Sequence, residues 1–211
     1  MEPPADLPQN IKNSIEWYTD YNYMQFNEDI REGNELTSEQ KKHYKNIVEA
    51  FDLTKPIPKP IEVYRGISLR KPEDYQVFGE GFVSTTMDKS VAIGFIGLNC
   101  CIVRIIVPAG SKCMDIDSLS VIPGEKELLL SNIHGKFKMT HVSREVFTWT
   151  NQTDSEGESD SDSDSDSDSG KVEKMEIDVI NLMYVPEVSK SIDKIGFKKA
   201  LKDIVNESKV N

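Results

Sequence analysis

The sequence contains little cysteine and little histidine. It has three cysteines in 211 residues, and two of them, Cys100 and Cys101, are adjacent. An odd number of cysteines without regular spacing excludes a disulfide framework and is typical of a reducing, intracellular compartment. The three histidines, His43, His134 and His141, lie on unrelated segments. The sequence therefore predicts neither a metal site nor a catalytic triad built on histidine.

The sequence also lacks an excess of positive charge and a long hydrophobic run. Its formal net charge is −11, and residues 151–170 hold eight acidic residues with no lysine or arginine, so the remainder carries only −3. Without a basic stripe, we expect no binding to nucleic acid. The longest apolar stretch, residues 100–107, contains Arg104 and is too short to cross a membrane. The first residues have neither a basic start nor an apolar segment, so we expect a soluble protein without a signal peptide.

The length of the chain favours one domain with one substantial core. We predict a flexible N-terminus at residues 1–10, a single domain at 11–206 and a flexible C-terminus at 207–211. Within the domain, residues 151–170 alternate serine with acidic residues and cannot bury enough surface to offset chain entropy, so they are predicted to be disordered. This segment is interpreted as a solvated spacer, and phosphorylation by acidophilic kinases or binding to a partner are the alternatives.

Hydrophobic periodicity predicts helices at the start of the chain. Apolar residues recur at helical spacing between Ile11 and Ile30, which indicates one or two helices. Thr37 and Gln40 form a capping-box pattern in front of a further amphipathic segment, which the proline-rich residues 55–60 end.

Strands are predicted in the middle of the chain. The β-branched, apolar residues 101–107 indicate a central strand. Residues 137–149 and 174–184 alternate apolar and polar side chains, which predicts the two arms of a hairpin on either side of the acidic segment. Residues 189–205 carry a rough helical stripe and are predicted to pack as a helix on the sheet or on a partner.

Three polar motifs lie beside short β-prone runs. They are Tyr-Arg-Gly at residues 64–66, Gly-Phe-Val-Ser-Thr-Thr at 81–86 and Pro-Gly-Glu-Lys-Glu-Leu-Leu-Leu at 123–130. Neighbouring strands bring residues that are distant in sequence into one cleft. The motifs are therefore candidates for a shared site.

Glu125 and Glu127 alternate around Lys126 directly before three leucines. If this segment is part of a strand, both carboxylates point to the same side. Two carboxylates on one face repel each other, which raises one pKa and allows the pair to divide acid–base and electrostatic roles. A solvated, charged turn in front of a buried strand is the alternative interpretation.

The other two motifs offer a guanidinium group and several hydroxyls. Arg65 suits a phosphate or a diphosphate, and Gly66 lets a ligand approach the backbone, although an arginine paired with a carboxylate would give the same pattern. Ser84 and Thr86 would share one face of a strand, where two hydroxyls could orient a carboxylate or a sugar. Thr86 or Asp88 is also a candidate N-cap for a following helix.

Taken in this order, the motifs resemble the Arg, Ser-Thr-Ser and Glu-x-Glu signature of the mono-ADP-ribosyltransferases of the cholera-toxin-like, arginine-specific branch. The resemblance spans residues 61–130, and residues 18–31 resemble the helical lead-in of these domains. Residues 120–127 are similar to the family's Ser-x-aromatic-Pro-x-Glu-x-Glu turn. Ile122 stands in place of the aromatic residue, a departure that bears on substrate choice more than on NAD cleavage. The middle motif reads Ser-Thr-Thr, which keeps the hydroxyl.

The resemblance implies an α+β fold in which N-terminal helices precede two packed, mainly antiparallel sheets with an NAD cleft between them. In that cleft Arg65 would hold the phosphates or ribose of NAD, and the backbone of Gly66 would bind the nicotinamide amide. Ser84 would orient the catalytic glutamate, while Thr85 and Thr86 would shape the nicotinamide pocket.

The resemblance also implies the reaction. Glu127 would bind the nicotinamide ribose and stabilise an oxocarbenium-like transition state, a role that suits a preorganised carboxylate in a partly dry site. Glu125 would engage the acceptor and help to remove its proton. The expected function is transfer of ADP-ribose from the co-substrate NAD to arginine side chains of a target protein, without a metal, inside the protein's own cell or a host cell. An NAD glycohydrolase and a catalytically silent binding module are the alternatives.

Overall fold

The computed structural model describes residues 6–68, 81–96, 100–150 and 172–186. The acidic segment at 151–170, the helix predicted at 189–205 and the flexible end predicted at 207–211 lie outside these ranges. Those three expectations remain predictions.

Three helices form the first part of the described chain: α1 (Gln9–Trp17), α2 (Tyr23–Glu32) and α3 (Ser38–Leu53). The capping box is confirmed, because the Gln40 amide donates to the Thr37 hydroxyl and the Thr37 amide donates to the Gln40 side chain. A kink at Tyr18–Asn22 separates α1 from α2. Among the helices that the structure describes, none combines the length and the hydrophobicity that crossing a bilayer requires.

The predicted flexible N-terminus at residues 1–10 is too long. Helix α1 already begins at Gln9, and the carbonyl oxygen of Pro8 accepts hydrogen bonds from the next turn. Leu7 is only 4 % exposed and packs in the same core cluster as Ile11 and Ile15. Burial of this leucine orders the chain ahead of the helix.

In the described ranges, seven strands, one short α-helix and a 3₁₀ helix at Asp117–Leu119 follow. The strands pair in the order β4-β5-β2-β1-β3-β7-β6, and each described pairing is antiparallel except that of β3 with β7. The predicted central strand and the predicted hairpin, which is β6 with β7, are both confirmed. The elements are β1 (Ile61–Ser68), β2 (Phe82–Thr86), α4 (Lys89–Gly94), β3 (Cys100–Val107), β4 (Met114–Asp115), β5 (Glu127–Ser131), β6 (Gly135–Thr150) and β7 (Val172–Pro186).

The α+β class is confirmed, but the strands form one sheet in place of two. Its halves, β4-β5-β2 and β1-β3-β7-β6, are joined in the described chain by the single registered pair Tyr64 and Thr86, whereas β1 pairs with β3 along its whole length. Apolar residues from both halves form one core cluster, and the Tyr184 hydroxyl on β7 donates to the carbonyl oxygen of Ser131 on β5 at 2.7 Å. The sheet is therefore continuous in its hydrogen bonds but curls until its halves pack face to face.

Helices cover the other face of the sheet on two sides of a cleft. Phe82 of β2 stacks with Phe26 of α2 and Phe51 of α3, with ring centroids 6.0 Å and 6.1 Å apart. On the other side, α4 packs on β1 at Gly66. The cleft lies between these two contacts.

Gly66 allows α4 to approach the sheet, and a methyl group there would collide with the helix. An added Cβ would lie 2.1 Å from the carbonyl oxygen of Ala92. Because this atom belongs to the backbone, we expect Gly66→Ala to lower the free energy of unfolding by about 1 to 3 kcal/mol. Gly94→Ala is the matched control, since a Cβ there meets nothing within 4 Å. Urea unfolding checks the prediction, and equal stability of the two variants would contradict it.

Candidate active site

The cleft contains a cavity of about 700 Å³. Strands β1, β2 and β5 are neighbours, so the three sequence motifs meet there even though they are far apart along the chain. The cavity is lined by every site residue predicted from the sequence: Arg65, Gly66, Ser84, Thr85, Thr86, Glu125 and Glu127.

Arg65 lies at the place where β1 and β2 separate. Its Nη1 donates a hydrogen bond to the carbonyl oxygen of Ser84 at 2.7 Å, which fixes the guanidinium against β2. Its Nε is buried and has no hydrogen-bond partner in the described part of the chain. Arg65 lines the cavity, so its guanidinium group can bind an anionic or polar ligand there.

Glu127 is the first residue of β5 and is only 9 % exposed. Burial raises the pKa of its carboxyl group because the charged form loses its hydration. Hydrogen bonds with the side chains of Ser84 and Ser120 lower the pKa, and the charge of Glu125 raises it again. The carboxylate is thus oriented from two sides in a partly dry site.

Glu125 and Glu127 do not share a strand, so the alternative interpretation, a charged turn in front of a buried strand, is the one that the structure shows. The strand begins only at Glu127, and Lys126 has a φ of +52°, so Glu125 lies in a turn. The turn is held by the Thr86 hydroxyl, which donates to the carbonyl oxygen of Glu125 at 2.7 Å, and by an ion pair between Lys126 and Asp88 at 2.8 Å. The turn, not the period of a strand, brings the two carboxylates to one cavity.

The environment of Glu125 differs from that of Glu127. Its side chain is more exposed to solvent, and its pKa is raised by partial burial and by the charge of Asp117. A carboxyl group in such a place can exchange protons with an incoming group. The two carboxylates therefore suit different chemical tasks.

The hydroxyl motif forms a strand and also starts a helix, as both interpretations predicted. Thr85 donates to the carbonyl oxygen of Leu128 at 2.8 Å, and Thr86 accepts a hydrogen bond from the Asp88 amide. Asp88 is the N-cap of α4. The threonine hydroxyls thus hold β5 and its turn in place, while Ser84 faces the Glu127 carboxylate.

Three positioning residues were not predicted from the sequence motifs. The buried Tyr18 hydroxyl donates to the carbonyl oxygen of Phe82 and accepts from the Asn27 side chain, and it lies beside the Ser84 side chain. The Asp117 carboxylate accepts hydrogen bonds from the amides of Gly124 and Glu127. The resemblance of residues 18–31 to a helical lead-in was the available signal for Tyr18 and Asn27, and nothing in the sequence marked Asp117.

The arrangement places two carboxylates and one guanidinium around a cavity with apolar walls. Such a site can hold a ligand with phosphate groups and stabilise positive charge that develops on a neighbouring atom. Within the described ranges, no three side chains of histidine, cysteine, aspartate or glutamate converge as a metal site requires.

A family model described as ADP-ribosyltransferase exoenzyme matches residues 5–77 and 73–181 of the chain. The matched residues include all three motifs that line the cavity. A comparison with curated proteins gives no match.

Solved structures with the same fold include three ADP-ribosylating proteins or exoenzymes. Exoenzyme S from Pseudomonas aeruginosa, in complex with human 14-3-3 protein beta and bound to carba-NAD, is 16% identical with a TM-score of 0.59 over 92% of this chain and 82% of that one. An ADP-ribosyltransferase from Clostridium botulinum is 20% identical with a TM-score of 0.56 over 84% and 87%. ADP-ribosyltransferase Vis in complex with agmatine is 15% identical with a TM-score of 0.53 over 90% and 80%. At these identities the likeness shows the fold.

Proposed function

Because the chain belongs to the ADP-ribosyltransferase exoenzyme family, we propose that it transfers ADP-ribose from NAD to an arginine side chain of a protein and releases nicotinamide. The observation that carries the proposal is Glu127, a buried carboxylate that hydrogen-bonds with Ser84 and Ser120 in the wall of the cavity. The carba-NAD bound to Exoenzyme S supports NAD as the first substrate. The agmatine bound to Vis supports arginine as the acceptor, since agmatine carries the same guanidinium group.

NAD would bind along β1 and β2. Arg65 lines the cavity and has a guanidinium anchored on β2, which suits the phosphates or the ribose. Gly66 would present its backbone to the nicotinamide amide. Thr85 and Thr86 would shape the nicotinamide pocket through the backbone that their hydroxyls hold in place.

In the reaction, the bond between the nicotinamide nitrogen and C1′ of the ribose breaks, and its electron pair leaves with nicotinamide. The positive charge that develops on the ribose would be stabilised by the Glu127 carboxylate, which Ser84 holds in position. A guanidinium nitrogen of the acceptor then forms a bond to C1′. Its proton would pass to Glu125, the more exposed of the two carboxylates.

Incubation of the purified protein with labelled NAD, with and without agmatine, tests the proposal. ADP-ribosylated agmatine would establish transfer to a guanidinium group. Nicotinamide release without any ADP-ribosylated agmatine would instead identify an NAD glycohydrolase. The absence of both reactions, with NAD binding shown separately, would identify a silent binding module.

The pH profile of nicotinamide release depends on Glu127, because only the ionised carboxylate can stabilise the ribose cation. Its pKa is raised, so activity should fall on the acid side at a higher pH than an ordinary glutamate would give. Ser84→Ala removes a hydrogen bond that favours the ionised form, and the acid limb should therefore move to still higher pH. Ser38→Ala, on the exposed start of α3, is the control. If nicotinamide release by Ser84→Ala fell at the same acid pH as in the wild-type protein, the contact between Ser84 and Glu127 would be refuted.

A further inference from the structure

Exposed apolar side chains are concentrated around the mouth of the cavity. Ten large hydrophobic residues are exposed in the described part of the chain, and half of them line this one cavity. Scattered exposed hydrophobic residues are ordinary, but a cluster of them around a pocket marks a binding surface. Four of these residues lie on the kink, at the start of α2 and on the loop before β5, and they are called the acceptor rim here: Tyr21, Met24, Val121 and Ile122.

The two sides of the acceptor rim are tied to each other. The backbone amide of Val121 donates to the Thr19 hydroxyl at 3.1 Å, which connects the loop to the kink. Tyr21 is 73 % exposed and has a φ of +53°. A bulky residue rarely adopts positive φ, and where it does so the position often serves a function. Burial of the Tyr21 ring does not explain its conformation, because the ring faces solvent.

The acceptor rim belongs to the N-terminal helical part and to the loop before β5, whereas Gly66 on β1 and Ala92 and Phe95 beside it are a separate part of the lining. Glu127 hydrogen-bonds with Ser84 on β2 and with Ser120 on the loop, so it is linked to both β2 and the loop that carries Val121 and Ile122. With NAD along β1 and β2, the acceptor rim is left for the second substrate.

We propose that the acceptor rim binds a protein segment whose target arginine is flanked by apolar residues, and that the Tyr21 ring stacks on the arginine guanidinium. A planar guanidinium stacks well on an aromatic ring, and the carboxylate of Glu125 in the same cavity would complement its charge. The flanking apolar residues would pack on Met24, Val121 and Ile122. This inference rests on the proposed function and names the substrate class of that site.

Two peptides test whether the acceptor rim distinguishes between residues on either side of the target arginine. They differ only in the neighbours of one arginine, which are leucine in the first and serine in the second. We expect the wild-type protein to modify the leucine peptide with a kcat/KM at least about tenfold higher, because apolar side chains gain from burial on the rim. Ile122→Ala should reduce this preference, whereas Leu53→Ala, an equally exposed site on α3 outside the cavity, should not.

Tyr21→Gly separates a binding role from a structural one. Glycine adopts positive φ without strain, so the Tm should stay the same or rise. Transfer to agmatine should fall about tenfold because the stacking partner is lost, while nicotinamide release without an acceptor should stay within about twofold.

Each result decides the inference. Equal modification of both peptides, or unchanged agmatine transfer in Tyr21→Gly, would overturn the acceptor rim while leaving the arginine-directed transferase in place. A parallel loss of Tm and nicotinamide release in Tyr21→Gly would show that the residue is structural. If the wild-type protein modified neither agmatine nor either peptide, the proposed function itself would be overturned. The proposal that the acceptor rim binds an arginine would fall with it.

Discussion

Glu127→Gln is expected to lower both nicotinamide release and transfer to agmatine by about 10²- to 10³-fold, the usual loss when one preorganised electrostatic contact to a transition state is removed. Glutamine keeps the shape of the side chain but removes the charge that would stabilise the ribose cation. Rates of nicotinamide release at saturating NAD, measured alongside NAD affinity, check this result.

Stability provides the control for Glu127→Gln. Burial raises the pKa of this carboxyl group, so the folded state holds its proton more tightly than the unfolded chain does. The ionised form at neutral pH therefore costs stability, and the neutral glutamine should leave the Tm unchanged or raise it. Glu35→Gln, at an exposed residue paired with Lys41, should change neither activity nor NAD affinity. A Glu127→Gln variant that keeps more than about a tenth of wild-type nicotinamide release would show that the carboxylate is not the electrostatic partner of the ribose.

Glu125→Gln is expected to separate the two reactions. Loss of a general base lowers a rate by about 10²- to 10⁴-fold, and this loss should fall on transfer to agmatine. Nicotinamide release should be largely spared, because Glu125 lies in the turn while Glu127 stays hydrogen-bonded to Ser84. Measuring nicotinamide and ADP-ribosylated agmatine in one reaction gives both rates.

Agmatine is the right acceptor for this variant because it is small and does not depend on contacts with a protein surface. Glu125→Asp keeps the carboxylate and should recover part of the transfer, which would separate the loss of a base from a disturbed turn. If arginine modification were intact in Glu125→Gln, the roles assigned to the two glutamates would be wrong.

The elements that could be predicted from the sequence are those specified by local patterns. The capping box at Thr37 places the start of α3, and the β-branched residues of β3 place a central strand. The hairpin of β6 and β7 follows from two alternating segments, although a long acidic insertion separates them. In each case the residues that form the sequence pattern are also the residues that form the hydrogen bonds or strand pairs.

The predictions that stayed open or failed depended on contacts beyond the local pattern. For Glu125 and Glu127 the sequence left a shared strand and a charged turn as alternatives. The turn forms because the Asp117 carboxylate binds the amides around it, and the strand begins after Lys126. The N-terminus is ordered earlier than expected because Leu7 finds a place in the helical core. One pair, Tyr64 with Thr86, is enough to join two halves that were expected to be separate sheets.

The sequence by itself determined seven of the residues that line the cavity, because three motifs beside β-prone runs carry them and adjacent strands bring such residues together. It also determined the strands beside these motifs. Only the tertiary structure decided how each group is held. The contact of Tyr18 with Ser84, the burial that raises the pKa of Glu127 and the tether between Thr19 and Val121 all join residues that are far apart in the chain. Their physical cause is the packing of the N-terminal helices on the sheet, which no local pattern encodes.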